Sequence, residues 1–149
     1  MTDSNAPVFT AACVQMNSQR DVAPNIAAAS DLIRAAHAQG ARLIVTPENT
    51  TILEPDKKAA LAKTPVEEEH PGLPAFSNLA RDLGVWLVIG SMPVRAEPTR
   101  IANRQFVFNP QGEVVARYDK IHLFGFRQGT ESYDESATIA AGQATVAFT

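Results

Sequence analysis

The sequence predicts an α/β fold in which a mixed β-sheet carries flanking helices, and three observations lead there. A short apolar run at residues 9–16 (FTAACVQM) is followed by an alanine-rich amphipathic stretch and then by a second apolar run at 43–45 (LIV). Strand, helix and strand in that order call for a parallel pair joined by a right-handed crossover. A second amphipathic stretch and a third apolar run at 86–92 (WLVIGSM) extend the pattern. The rhythm then changes, because two strand-like segments flank Asn109-Pro110-Gln111-Gly112. That spacing makes a hairpin rather than a crossover and turns the sheet mixed.

Each element has its own grounds. The 9–16 run lacks helical spacing and reads as a buried strand. Cys13, among Ala11, Ala12 and Val14, reads with it as a small core residue whose thiol an apolar setting keeps inert. Asp21 offers an N-cap, and Pro24 falls in the first turn, where a helix tolerates it. Ile26, Ala29, Ile33, Ala36 and His37 share one helix face, and Gly40 supplies the stop. Residues 50–74 read as irregular, with Asp56-Lys57-Lys58 and Glu67-Glu68-Glu69 as a solvated helix face and loop. Leu73, Phe76, Leu79, Ala80 and Leu83 mark a second helix that Gly84 ends. Residues 101–108 and 113–119 form the hairpin, 124–142 a polar loop, and 144–148 the start of one more strand.

This arrangement is short of layers. Neighbours such as Val88 and Ile89 point to opposite sides of the sheet, so both faces need cover, and two helices cannot supply it. An apolar face well beyond the few hundred Å² (roughly) of typical monomers is therefore expected, with association or poor solubility in isolation.

Composition sets broad bounds. The 149 residues carry a formal charge of -3, with 45% apolar and 19% charged residues, which suits one globular domain. The absence of a Lys/Arg block argues against nucleic acid or anionic membrane as a partner. No apolar run approaches the ~20 residues that span a bilayer. Residues 1–7 lack the pattern of a signal peptide and read as a disordered tail ahead of a domain over 8–149. With one cysteine no internal disulfide forms, and the expected compartment is cytoplasmic.

Four side chains stand out by context. Glu48 follows a buried strand and a proline, and the carboxyl ends of parallel strands are where ligands bind. Desolvation there would raise its pKa and suit a general base, while a capping or salt-bridged glutamate is the plainer reading. Lys120 ends a strand in the run 118–124 (YDKIHLF), either snorkelling, paired with Asp119, or directed into a site. His122 sits at alternate spacing on the same strand face and reads as a hydrogen-bonded structural group. Glu135, in the run 132–138 (SYDESAT), reads by itself as a solvated loop acid.

Together these segments resemble the nitrilase superfamily of carbon–nitrogen hydrolases, nearest its ω-amidase and deaminated glutathione amidase branch. Residues 9–16 are similar to the family's opening strand, 43–48 to the strand that delivers its catalytic glutamate, and 101–113 to its Asn-led hairpin. Residues 118–124 are similar to its lysine motif and 135–138 to the segment with its second glutamate, whereas 125–129 depart from the usual Asp-rich, Pro-Gly sequence. The resemblance implies that Glu48, Lys120 and Glu135 are catalytic positions in a Glu-Lys-Cys chemistry that hydrolyses a small carboxylate monoamide and releases ammonia. It implies no metal or organic cofactor, a homo-oligomer, and an αββα sandwich of which this chain forms the N-terminal part. The family's cysteine follows the strand that begins near Ala144, so residues 1–149 are expected to lack the nucleophile and to be inactive alone. The competing reading is a non-catalytic half-domain that binds a homologue or a small ligand.

Overall fold

The computed structural model describes residues 8–148, and the tail expected over 1–7 lies outside them. Strand β1 (Thr10–Cys13), helix α1 (Val22–Ala38) and strand β2 (Ala41–Thr46) form the first crossover. Helix α2 (Lys57–Lys63), a single 3₁₀ turn at Glu67–Glu69 and helix α3 (Gly72–Leu83) lead to strand β3 (Trp86–Glu97). Strands β4 (Arg100–Phe108) and β5 (Val114–Asp119) make the hairpin. Beyond them come β6 (Gly125–Gln128), β7 (Glu131–Asp134), a 3₁₀ turn at Glu135–Ala137 and the short β8 (Ile139–Ala140).

The main sheet runs β1-β2-β3-β4-β5, with β8 beside β4. β1, β2 and β3 are mutually parallel, β3-β4 and β4-β5 antiparallel, so the sheet is mixed as its sequence pattern required. Asp21 occupies the α1 N-cap without a side-chain bond, and Gly84 ends α3 in the left-handed region at φ 63. Gly112 closes the β4-β5 turn at φ 81, where a Cβ would lie 2.5 Å from the Ser77 carbonyl oxygen, so both backbone and space demand glycine.

The core lies between α1, α3 and one face of the sheet. Ala29, Ile33, Ile44, Phe76, Leu87, Ile89, Phe106 and Phe108 are all fully buried there. At about 25 cal/mol per Å² of apolar surface removed from water, this layer carries most of the hydrophobic stabilisation. The opposite face has partial cover. Residues 145–148 cross part of it, where Thr145, Val146 and Phe148 share a cavity with Gln105, Val107, Ala116 and Tyr118. The Phe148 ring lies 5.8 Å from that of Trp86.

Several local expectations need correction. Residues 144–148 form no strand, since among the described residues they have no strand neighbour to complete their hydrogen bonds. Residues 50–74 are more ordered than expected, holding α2, which Asp56 caps through the Ala59 amide at 2.7 Å. The loop 124–142 contains the β6-β7 hairpin and β8. Glu67 is not solvated: it pairs with Arg104 and Arg117, the latter at 2.7 Å. Cys13 is exposed rather than buried. Strand β1 is an edge, and Cys13 pairs in register with Val45 on the partly covered face, while Ala12 turns toward the core. Among the described residues, no helix is long and apolar enough to cross a membrane.

Candidate active site

Glu48 is carried by a tight turn at the end of β2. Pro47 stops the strand, and Asn49 adopts the left-handed region at φ 57, which asparagine tolerates better than most residues. Strand β3 clamps this turn through Ser91. The Ser91 amide donates to the Pro47 carbonyl at 2.9 Å, the Thr50 amide donates to the Ser91 carbonyl at 2.8 Å, and the Asn49 amide donates to Ser91 Oγ at 3.2 Å. Beneath it Thr50 Oγ1 donates to the Pro47 carbonyl at 2.7 Å. Its one proton is thereby used, so Thr46 is the donor in the 2.7 Å contact between the two threonine hydroxyls. Gly90 lets β3 come this close, because a Cβ there would lie 2.8 Å from the Thr46 carbonyl oxygen. The turn is therefore held by backbone bonds to Ser91 and by the Ser91 and Thr50 hydroxyls, without using the Glu48 side chain.

Lys120 arrives from the far side of the sheet, one residue past β5. Its amide donates to the Asn103 carbonyl at 3.0 Å, and its carbonyl accepts from Gly142 at 2.9 Å. The ammonium Nζ lies 3.1 Å from Glu48 Oε1 and 3.0 Å from Glu135 Oε2. Glu135 opens the 3₁₀ turn after β7, and its Oε2 also accepts from the Phe124 amide at 2.7 Å. Of the four residues singled out from sequence, Glu48, Lys120 and Glu135 thus meet at one point, on the partly covered face of the sheet near Gly90, Ser91, Gln105 and Tyr118.

The electrostatics follow from this geometry. Burial opposes the charge on Lys120, but hydrogen bonds to Glu135 and Glu48 outweigh it and hold its pKa above the ordinary lysine value. An ammonium held charged between two carboxylates is a fixed electrostatic element. Glu48 is not the desolvated acid that its place in the sequence suggests, since its side chain stays 50% exposed. Lys120 and Asn103 both bind Glu48 Oε1, which leaves Oε2 open to accept a proton. Asp119 is not the partner of Lys120, as it takes Arg104 in a two-pronged pair at 2.7 and 2.8 Å. His122 lies beyond β5 and is exposed, so it shares no strand face with Lys120. Among the described residues no cluster of His, Cys, Asp or Glu has the form of a metal site.

Two residues escape a reading of sequence alone. Asn103 is 7% exposed and donates to the Glu48 carboxylate, and Ser91 ties the Glu48 turn to β3. A polar side chain in the middle of an apolar strand is the one signal that marks Asn103, because a buried amide needs a partner.

Known proteins with this pattern converge. The family model for carbon-nitrogen hydrolases matches residues 10–149. A deaminated glutathione amidase of Yersinia enterocolitica is 34% identical, over 89% of this chain and 47% of its own length. An omega-amidase NIT2 of Danio rerio is 31% identical, over 94% of this chain and 50% of its own. Among solved structures, an amidase from Nesterenkonia sp. AN1 superposes with a TM-score of 0.76 at 25% identity, covering 92% of this chain and 51% of that one. The C. elegans NitFhit protein matches with a TM-score of 0.80 at 23% identity, over 91% of this chain and 34% of its own, a likeness of fold. The chain spans about half the length of the curated relatives it matches. It belongs to the carbon–nitrogen hydrolase family of the nitrilase superfamily.

Proposed function

From that membership we propose that Glu48, Lys120 and Glu135 are the catalytic carboxylates and amine of an amidase that hydrolyses a small carboxylate monoamide through a thioester. The observation that carries this reading is the Lys120 ammonium bridging Glu48 and Glu135 at 3.1 and 3.0 Å, with Glu48 Oε2 left open. Glu48 takes the proton of a cysteine thiol, and the sulfur attacks the amide carbon. Negative charge that develops on the carbonyl oxygen is met by Lys120, already charged and held in place by Glu135. The intermediate collapses as Glu48 returns the proton to the departing nitrogen, releasing ammonia and leaving a thioester. Glu48 then deprotonates a water that attacks the thioester, giving the carboxylic acid and the free thiol.

The nucleophile in this scheme is a cysteine other than Cys13. A relative supports this reading, because the Nesterenkonia amidase has an active site cysteine, at which acrylamide adds by Michael addition in its glutamate-to-glutamine mutant. Cys13, the one cysteine of this sequence, sits on edge strand β1 and is not among the residues around Lys120. Residues 1–149 by themselves are therefore expected to release no ammonia. A homo-oligomer that covers the open sheet face and a cytoplasmic location belong to the same reading.

The experiment is ammonia release from a 2-oxo-dicarboxylic acid monoamide by the protein in a form that carries the nucleophilic cysteine, and by Glu48→Gln and Lys120→Met variants of that form. Loss of a proton carrier or of a charge-stabilising donor each lowers kcat by about 10²–10³-fold or more while the fold is kept. A Lys120→Met protein that keeps its full rate would remove Lys120 from the mechanism.

A further inference from the structure

Glu48 and Glu135 hold the Lys120 ammonium in space, while a third acid, Asp119, is its neighbour in the chain. Hairpin register sets Asp119 opposite Arg104 and Tyr118 opposite Gln105. Alternation then puts Arg104 and Asp119 on the face of buried Phe106, and Tyr118 and Lys120 on the face of the cluster. Asp119 is closed on its side by a two-pronged pair, Arg104 Nε to Oδ1 at 2.7 Å and Nη2 to Oδ2 at 2.8 Å. The remaining edge of the guanidinium, Nη1, meets Glu67, whose other oxygen takes Arg117 at 2.7 Å. With side chains 23% and 28% exposed, the Arg104-Asp119 pair is better shielded than an ordinary surface pair. Lys120 itself stands one residue past β5, which is the last strand in the sheet order. Its backbone is fixed, the amide to Asn103 and the carbonyl to Gly142, and a Cβ at Gly142 would collide with the Asp119 carbonyl. Only its long, flexible side chain is left to choose a partner.

We propose that Arg104 is a positioning residue for Lys120: by holding both oxygens of Asp119, it removes the adjacent acid from competition and leaves the ammonium to Glu48 and Glu135. The proposal rests on the amidase reading, in which that ammonium meets the developing oxyanion. Its physical ground is charge. An uncompensated carboxylate one residue from a flexible ammonium draws it round the strand edge. A lysine shared with a third acid is then away from the reacting carbonyl for part of the time. Arginine suits the task because its planar fork occupies both carboxylate oxygens at once, whereas a lysine acts as a point charge.

The test measures kcat and KM for ammonia release by the form that carries the nucleophilic cysteine, together with crystal structures of the variants. Arg104→Gln is expected to lower kcat by about tenfold or more with KM within about twofold, since the lost alignment acts on the transition state. In its structure Lys120 Nζ is expected beside Asp119 instead of Glu48. Adding Asp119→Asn is expected to restore kcat to within about threefold of the unaltered protein and to return Nζ to the two glutamates. A role of Arg104 in stability alone gives no such reversal. Glu67→Gln breaks two ion pairs of the same group but leaves Arg104 on Asp119, so kcat is expected to stay within about twofold even where the melting temperature falls. Arg104→Lys serves if Arg104→Gln does not fold, with a loss of about threefold that Asp119→Asn again reverses. An unchanged kcat in the Arg104 variants, or a loss that Asp119→Asn does not reverse, overturns the proposal. The structures separate it from the amidase reading. Ammonia release with Nζ unmoved in Arg104→Gln sinks the positioning role and leaves the amidase standing. No ammonia release by the unaltered protein, with Nζ moved to Asp119 in Arg104→Gln, sinks the amidase and leaves Arg104 as the residue that sets the Lys120 contacts.

Discussion

The two faces of the central sheet are made from alternate residues of the same strands, yet they carry different duties. On the helix side Ile44, Leu87, Ile89, Phe106 and Phe108 are fully buried. On the other side Leu43, Val45, Trp86 and Val88 are only partly covered, and the Glu48-Lys120-Glu135 cluster stands at that face. The difference has a physical cause. Complete burial disfavours ionised groups such as those of this cluster, because desolvating them costs more than packing returns. Helices α1 and α3 therefore close one face for stability, while the other keeps enough access for ionised side chains. Where residues 145–148 cross the second face, Val107 and Ala116 are buried; at its edge, Cys13 is exposed.

Breaking this contrast is a matter of comparing substitutions on the two sides. Phe106→Ala, on the closed side, is expected to cost about 3–5 kcal/mol in denaturant unfolding. Val88→Ala, on the partly covered side, is expected to cost about 1 kcal/mol. Equal losses would mean that the second face is as well packed as the first.

Next in size is an effect of acid on the closed side. His70 is 1% exposed, and burial depresses its pKa from 6.5 to about 4. Its Nδ1 accepts the Gly72 amide at 3.0 Å at the start of α3, so the neutral ring donates from Nε2 toward Thr51 Oγ1 at 3.5 Å. The unfolded chain protonates this histidine near 6.5 and the folded chain only near 4, so between those values the unfolded state binds more protons. Stability is therefore complete above pH 6.5 and falls as pH drops toward 4, by at most about 3 kcal/mol. The slope of unfolding free energy against pH in this window is expected to flatten in His70→Gln. An unchanged slope would assign the acid sensitivity elsewhere.

The smallest effect sharpens the comparison most. Cys13→Ser is expected to change stability by less than about 0.5 kcal/mol, as for an exposed position away from special features. In the folded protein the Cys13 thiol should react with a thiol reagent at the rate of an accessible cysteine. Protection at concentrations where the protein self-associates, lost on dilution, would show that a second copy covers this edge.

Much of the fold is legible in the residues. Apolar runs, Gly84 and Gly112 locate β2, α1, α3 and the β4-β5 hairpin because each depends on neighbours within a turn or two. Errors fall where remote chain decides the outcome. Cys13 and Val14 are equally apolar on paper, and only the edge position of β1 exposes one of them while the other packs on the core. Lys57 and Lys58 are the solvated helix charges that they look like, but Glu67 instead pins Arg104 and Arg117.

For the candidate site, the sequence by itself singled out Glu48, Lys120 and Glu135 and their order, since motif and family resemblance reside in residue identity. Tertiary structure alone decided that Lys120 meets Glu48, 72 residues earlier, and that Asn103 joins them. It also decided that Asp119 is taken by Arg104 instead. Spacing along a chain sets periodicity within an element. It cannot set which ends of which strands converge, because that follows from sheet register and from the crossover that brings β2 and β3 side by side.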